Sequence, residues 1–158
     1  MSFIGLNLTN NLSLYAVPVA WVAAMAPHFY AISVYNAERA PGTAEWDNRD
    51  PRGNIGKVKE AKLSPNAQGK FIRAEAAQEN AFQNLPLFAA AVLAGNFARL
   101  SPSVLNTTSA LYLFFRVAYT IVYINNTSPF LANFRSVTFL AGVATWMSLF
   151  IRAGNKLL

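Results

Sequence analysis

One arginine and three tyrosines lie on a single face of a predicted helix in the second half of the chain. Tyr112, Arg116, Tyr119 and Tyr123 are three or four residues apart, the spacing that places side chains on one helical stripe. The surrounding segment, 104–124, contains no acidic residue. A guanidinium within an apolar span needs a counterion on another helix or a bound anion. The sequence therefore predicts either an interhelical ion pair or a ligand contact at Arg116.

A second group of polar residues occupies the first half of another predicted helix, at about 71–98. Polar groups at membrane depth are costly unless they face water or one another, so we interpret their density as functional. The alternative is that this half of the helix projects into the cytosol. Glu75 and Glu79 are the available partners for Arg116, and together with Tyr112 they are candidate acid and base residues. The polar side chains are those of Arg73, Glu75, Gln78, Glu79, Asn80, Gln83 and Asn84.

Long uncharged stretches surround these residues and predict the helices that position them. From Arg99 to Arg152 the charged residues are separated by uncharged stretches of 16 to 18 residues, close to the ~20 residues that cross a bilayer as a helix. Backbone groups in lipid must bond one another, so these stretches are predicted to be helical. We expect an all-α integral membrane protein, a four-helix transmembrane bundle in one domain, 1–158. The spans are predicted at about 12–35, 71–98, 104–124 and 134–151.

The orientation in the membrane is predicted from one polar loop, 38–70. This segment is rich in helix breakers such as Pro41-Gly42 and Ser64-Pro65 and carries seven of the thirteen basic residues. Basic loops remain in the cytosol, so both termini are expected on the luminal side. The glycosylation acceptors Asn7 and Asn11 would then also be luminal.

Composition restricts the classes of function. Apolar residues make up 54% of the chain and charged residues 13%, a balance typical of membrane proteins. The chain has no cysteine and one histidine, His28, which excludes thiolate and multi-histidine metal sites, and no metal site is predicted. We interpret His28 as a neutral imidazole bonded to a carbonyl and leave it out of the site. The basic residues of the loop are interleaved with acids and lack an aromatic series, which argues against nucleic-acid binding.

Three segments resemble the MAPEG family, the membrane-associated proteins of eicosanoid and glutathione metabolism. Residues 73–88 are similar to the family's second-helix signature, in which an arginine, a histidine or glutamine, an asparagine and a glutamate precede a Pro-Leu/Phe step. Residues 113–123 resemble the third-helix signature, an arginine followed by a tyrosine or histidine and then a second tyrosine. Residues 135–139 resemble the start of the fourth helix in prostaglandin E synthase-like members.

The resemblance implies a homotrimer in a membrane of the endoplasmic-reticulum type, with glutathione bound between neighbouring subunits near the cytosolic side. It assigns Arg135 to holding the sulfur as a thiolate, with Ser136 beside it. A guanidinium suits this role because it stays charged in a site of low dielectric and lowers the pKa of a nearby thiol. The implied cofactor contacts are Arg73, Gln78, Asn80, Gln83, Arg116, Tyr119 and Tyr123.

Two positions depart from the family pattern. Many members have an arginine where Ala76 stands, and the glutamate expected to meet the glutathione amine is Gln83 here. Each charge-assisted hydrogen bond lost in this way is worth roughly 1.5 to 3 kcal/mol. Glu79 lies one turn before Gln83 and is a possible substitute for the missing carboxylate.

These residues support one leading interpretation and two alternatives. The leading interpretation is a membrane-bound, glutathione-dependent transferase or isomerase that takes a lipophilic, electrophilic substrate from the bilayer. The first alternative is a cofactor-independent isomerase or cyclase that acts on an apolar metabolite in the same cavity, the one that these polar residues are expected to line. The second is a non-catalytic protein that binds or presents a lipid. Binding of glutathione would separate the leading interpretation from both alternatives.

Overall fold

The chain forms helices joined by short turns and one longer loop. The computed structural model describes residues 9–58 and 60–158; the acceptor Asn7 and the loop residue Lys59 lie outside the described residues. Every regular element among them is helical, which confirms the predicted all-α class. A 3₁₀ turn, Ser13–Tyr15, precedes the α-helices. These are α1 (Ala16–Glu38), α2 (Pro51–Lys57), α3 (Pro65–Phe97), α4 (Pro102–Ile124) and α5 (Pro129–Leu157).

Three of the long helices begin at a serine-proline pair. The hydroxyls of Ser64, Ser101 and Ser128 accept hydrogen bonds from backbone N–H groups in the first turns of α3, α4 and α5. The proline that follows needs no partner for its nitrogen and already has a helical φ. As a result α3 begins at Pro65 rather than near residue 71, and α5 begins at Pro129 rather than near residue 134. The predicted loop 38–70 is correspondingly shorter, and it contains α2.

Three helical segments of the described chain are long and apolar enough to cross a membrane: Ser13–Glu38, Pro102–Ile124 and Pro129–Leu157. They correspond to the first, third and fourth predicted spans, and they support an integral membrane protein. The predicted span at 71–98 is not among them. The polar residues in the first half of α3 lower the mean hydropathy of this helix. That α3 crosses the membrane therefore stays a prediction.

Two apolar clusters divide the bundle along its length. Near the loop, Tyr35 of α1 and Phe71 of α3 are buried together with the end of α4. Towards the termini, Phe88, Tyr112 and Leu149 join α3, α4 and α5 in a second cluster. The segment of α3 between these clusters carries the predicted polar residues from Glu75 to Asn84, so these lie in a layer between two packed cores.

The loop between α1 and α3 is fixed to the bundle by Trp46. The Trp46 ring lies 5.8 Å from the ring of Tyr35 and 6.0 Å from that of Phe71, measured between centroids. Within the loop, hydrogen bonds from Arg49 hold the pKa of Asp47 below its ordinary value. The loop is thus ordered by an aromatic anchor and by its own ion pairs.

Candidate functional site

The side chain of Arg116 extends from α4 towards α3, and the residue is only 7% exposed. Its Nη2 donates a hydrogen bond to Oδ1 of Asn80, at 3.0 Å, and its Cζ lies 4.7 Å from the centroid of the Tyr119 ring. Of the two alternatives predicted for Arg116, the ion pair with Glu75 or Glu79 is not formed within this subunit among the described residues. An amide oxygen and an aromatic face stabilise the guanidinium without cancelling its charge.

The two glutamates point elsewhere because they lie on a different stripe of α3 from Asn80. Glu75 is bonded to α1, where its Oε1 lies 2.8 Å from Nδ1 of His28. Glu79 is exposed and accepts a hydrogen bond of 3.4 Å from Nε2 of Gln83. The carbonyl partner predicted for His28 is therefore wrong, and a carboxylate takes its place. Sequence analysis missed this pair because nothing in the spacing of one histidine on α1 reveals its register against α3.

A second guanidinium lies close to the same tyrosines. Cζ of Arg135 is 4.9 Å from the centroid of the Tyr123 ring, and the rings of Tyr119 and Tyr123 are 5.4 Å apart. The structure thus brings Arg116, Arg135 and both tyrosines into one continuous cluster. Ser136, one residue further along α5, is exposed and donates to the carbonyl of Ala132 at 3.2 Å. Its hydroxyl is engaged by its own helix rather than by this cluster.

Arg73 connects α3 to the end of α4 beside this cluster. Its Nε donates to the carbonyl oxygen of Ile124 at 2.8 Å. The last carbonyls of a helix have no partner within the helix, so this contact caps α4 one residue after Tyr123. Arg73 is therefore part of the structure at the end of the helix that carries the tyrosines.

The remaining predicted residues make their side-chain contacts outside the arginine–tyrosine cluster. Gln78 contacts α1, where its Nε2 lies 3.7 Å from Sδ of Met25. Tyr112 is buried and stacks on Phe88, with ring centroids 3.8 Å apart and the ring planes at 11°. Within one subunit, Gln78, Tyr112 and the exposed Gln83 are not brought to the arginine–tyrosine cluster through side-chain bonds.

The cluster has the chemistry of an anion site. It combines two guanidinium groups, two phenol rings and the amide of Asn80. In the part of the chain that the structure describes, no carboxylate forms an ion pair with Arg116 or Arg135. Arginine without a carboxylate partner in a site of low dielectric favours a bound anion such as a thiolate or carboxylate.

Two cavities lie outside this cluster or at its edge. A partly open cavity of about 210 Å³ lies between α1, α3 and α4, and both Tyr112 and Arg116 line it. A groove of about 620 Å³ between α4 and α5 lies towards the opposite end and is lined by hydroxyl side chains and Arg152. None of the predicted site residues lines the groove. The smaller cavity was not predicted, although the several alanines of α1 are the signal that could have indicated it.

Comparison with known proteins gives one match. A model of the MAPEG family matches residues 14–155 of the 158-residue chain. The match includes all four long helices except the last residues of α5. No curated protein and no solved structure matches.

Proposed function

Because the chain belongs to the MAPEG family, we propose that it is a membrane-bound, glutathione-dependent transferase or isomerase with a lipophilic, electrophilic substrate. The observation that carries this proposal is the cluster of Arg116 and Arg135 on the rings of Tyr119 and Tyr123, with no carboxylate paired to either arginine among the described residues. This donor set fits glutathione, which presents carboxylates and an ionisable thiol.

Arg135 is the proposed catalytic residue. Glutathione, when bound, supplies the nucleophilic sulfur. The guanidinium of Arg135 holds negative charge beside Tyr123 and favours the ionised form of a thiol placed there. Tyr119 and Tyr123 position the guanidinium groups through their ring faces, and Arg73 fixes the end of α4 that carries Tyr123. The low polarity of the surrounding helices strengthens each of these interactions.

We propose a homotrimer of four-helix subunits, each a single domain, 1–158, with the site between neighbouring subunits. The directions of the α3 side chains support this arrangement. Glu79 and Gln83 are exposed on α3 within one subunit, although polar groups at membrane depth are costly in lipid. In a trimer these two exposed side chains would face the cofactor site of an adjacent subunit. The proposed location is a membrane of the endoplasmic-reticulum type, with the loop in the cytosol and both termini luminal.

A cofactor-independent isomerase is the second candidate, and the His28–Glu75 pair favours it. The two side chains join α1 and α3 at 2.8 Å, the arrangement in which a carboxylate orients an imidazole for proton transfer. Nε2 of His28 has no hydrogen-bond partner among the described residues. Such a pair would move a proton between two carbon atoms of an apolar substrate without a thiol.

Glutathione titration of the purified protein in detergent tests the proposal. We expect the wild type to develop the ultraviolet absorbance of a thiolate, because Arg135 stabilises the anion. Arg135→Leu should abolish this signal while circular dichroism and oligomer size stay unchanged. Arg152→Leu is the matched control, since it removes an exposed arginine from the other end of the same helix.

The titration also gives the results that would contradict the proposal. A thiolate signal that survives in Arg135→Leu removes this residue from the mechanism. A wild type that neither binds glutathione nor develops the signal removes the glutathione-dependent function and leaves the two alternatives, the cofactor-independent isomerase and the non-catalytic lipid-binding protein.

A further inference from the structure

The groove between α4 and α5 is polar at one end and apolar at the other. Ser103 and Arg152 line it near the end of the bundle that carries the chain termini, and Phe115 and Ala141 line it near the middle of the two helices. Ser103 and Phe115 are 12 residues apart, which is about 18 Å along a helix. One leaflet contributes half of a hydrocarbon core of about 30 Å. The groove therefore has roughly the length of one leaflet.

Arg152 gives the polar end of the groove an unpaired positive charge. Its side chain is exposed, and it forms neither an ion pair nor a hydrogen bond with the residues that the structure describes. The sequence has no acidic residue on α4 or α5. An arginine near a helix end can extend to the headgroup region of a bilayer by itself, so a ligand site requires further donors around it.

Hydroxyl groups supply these further donors on the α4 side of the groove. Those of Ser103, Thr107 and Thr108 line it and make no side-chain hydrogen bond within the described chain. On the α5 side, Thr145 and Ser148 donate instead to carbonyls of their own helix. A guanidinium binds phosphate through two parallel N–H groups, and each free hydroxyl can donate one more hydrogen bond. The polar end of the groove therefore has the donors that suit a phosphate group.

We propose that this groove binds an anionic phospholipid of the surrounding bilayer, with the phosphate on Arg152 and the α4 hydroxyls and one acyl chain along Leu111, Phe115 and Ala141. Basic pockets between membrane helices bind anionic head groups in this way. The groove has a volume of about 620 Å³, within the roughly 300 to 1,000 Å³ of small-molecule sites. Because the groove is open along one side, a lipid can enter it laterally from the bilayer.

This site is separate from the arginine–tyrosine cluster. It lies towards the other end of α5 from Arg135, and no residue of the cluster lines it. No residue of α3, the helix proposed to face neighbouring subunits, lines it either. The proposal therefore goes beyond the proposed function and stands whether or not glutathione binds. Arg152→Leu remains a valid control in the glutathione titration, which contains no added phospholipid.

Native mass spectrometry of the full-length protein in detergent, with lipid added at increasing concentration, tests the proposal. We expect dioleoyl phosphatidylglycerol to bind about fivefold more tightly than dioleoyl phosphatidylcholine, because the ammonium group of the second lipid cancels the charge of its phosphate. Glycerol phosphate, which carries the anion without acyl chains, should not compete with phosphatidylglycerol.

The charge at Arg152 is tested by a single substitution. Arg152→Gln should weaken the binding of phosphatidylglycerol by about fivefold, because the amide keeps its donors but loses the positive charge. Arg99→Gln is the matched control, since it removes the same charge from an exposed position near the same end of the bundle, outside the groove. It should bind phosphatidylglycerol like the wild type.

Filling the groove provides a test that does not depend on charge. Ala144→Leu adds three carbon atoms at an exposed position that lines the groove, so the added atoms enter no packed core. Because they occupy the path of the acyl chain, they should weaken the binding of phosphatidylglycerol by about fivefold. Ala110→Leu is the control, since it adds the same atoms at an exposed position of α4 outside the groove.

Four results would overturn the proposal. They are equal affinities for the two lipids, competition by glycerol phosphate, unchanged binding in Arg152→Gln or Ala144→Leu, and equal losses in Arg152→Gln and Arg99→Gln. The same spectra give the oligomer size. A smaller oligomer in Ala144→Leu than in Ala110→Leu would assign the groove to a contact between subunits and would also overturn the lipid site. Loss of lipid binding in Ala144→Leu with the oligomer retained would support it.

Discussion

At the scale of single residues, the main result is the partner of Arg116. A glutamate would have neutralised the arginine and closed the site to anions. Asn80 orients the guanidinium through one hydrogen bond of 3.0 Å and leaves its charge for a ligand. The carboxylate of Glu75 is meanwhile bonded to His28 on the opposite side of α3. Between the two apolar clusters, α3 therefore has the His28–Glu75 pair on the side that faces α1 and the Asn80–Arg116 bond on the side that faces α4.

The first prediction concerns the bond between His28 and Glu75. In a double-mutant cycle, His28→Phe and Glu75→Leu should show a coupling free energy of about 0.5 to 3 kcal/mol, because the two partly buried groups bond directly. The measurement is the free energy of unfolding of the detergent-solubilised protein.

The control cycle uses Glu79→Leu and Gln83→Leu. This bond is exposed and is longer, at 3.4 Å, so its coupling should be close to zero. If the two cycles give the same coupling, the His28–Glu75 bond does not contribute to holding α1 against α3.

At the scale of helices, close packing depends on one glycine of α3. A Cβ atom at Gly95 would lie 2.7 Å from Cδ2 of Leu105 on α4 and 3.7 Å from Cδ2 of Leu149 on α5. Both leucines are fully buried. The three helices therefore meet where α3 has no side chain, a common device for close approach of membrane helices.

The second prediction is that Gly95→Val destabilises the protein by about 1 to 3 kcal/mol, the usual cost of overpacking a filled core. Gly154→Val makes the same chemical change on α5, where an added Cβ meets no atom within 4 Å. Thermal unfolding in detergent should show a lower melting temperature for the first variant alone. Equal melting temperatures for the two variants would mean that α4 and α5 move apart at little cost.

At the scale of the whole molecule, the exposed surface has the character expected of a protein surrounded by lipid or by further subunits. Large apolar side chains are exposed on all three helices of the described chain that are long and apolar enough to cross a membrane. Examples are Val22 on α1, Phe114 on α4 and Leu140 on α5, each more than 60% exposed. The polar loop is confined to one end, where α1 ends and α3 begins. This separation of surfaces is the basis for the proposed orientation.

The third prediction tests that orientation with single cysteines, which the natural chain lacks. In sealed microsomes, Asn48→Cys should react with a membrane-impermeant maleimide added outside, because residue 48 lies in the proposed cytosolic loop. Asn155→Cys, near the end of α5, should react only after the membrane is permeabilised. Both positions are exposed, so the reverse pattern would show that the protein has the opposite orientation.

The sequence by itself determined the all-α class, the membrane environment and the family, because these follow from uncharged stretches and short motifs along the chain. It also placed Arg116, Tyr119 and Tyr123 on one stripe, since helical periodicity is a local property. It did not give the helix starts, because a proline after a serine can interrupt a helix or begin one, and only the backbone of α3 and α5 distinguishes the two.

The tertiary structure decided which side chains meet. Asn80 and Glu75 are five residues apart on α3, yet one contacts Arg116 on α4 and the other contacts His28 on α1. The partner of each depends on the rotation of α3 about its axis and on its shift along α1 and α4. Both are fixed by the packing of many side chains at once, around Phe71 and Phe88. The alanine-lined cavity arises from the same packing, because an unfilled space belongs to three helices together and to none of their sequences alone.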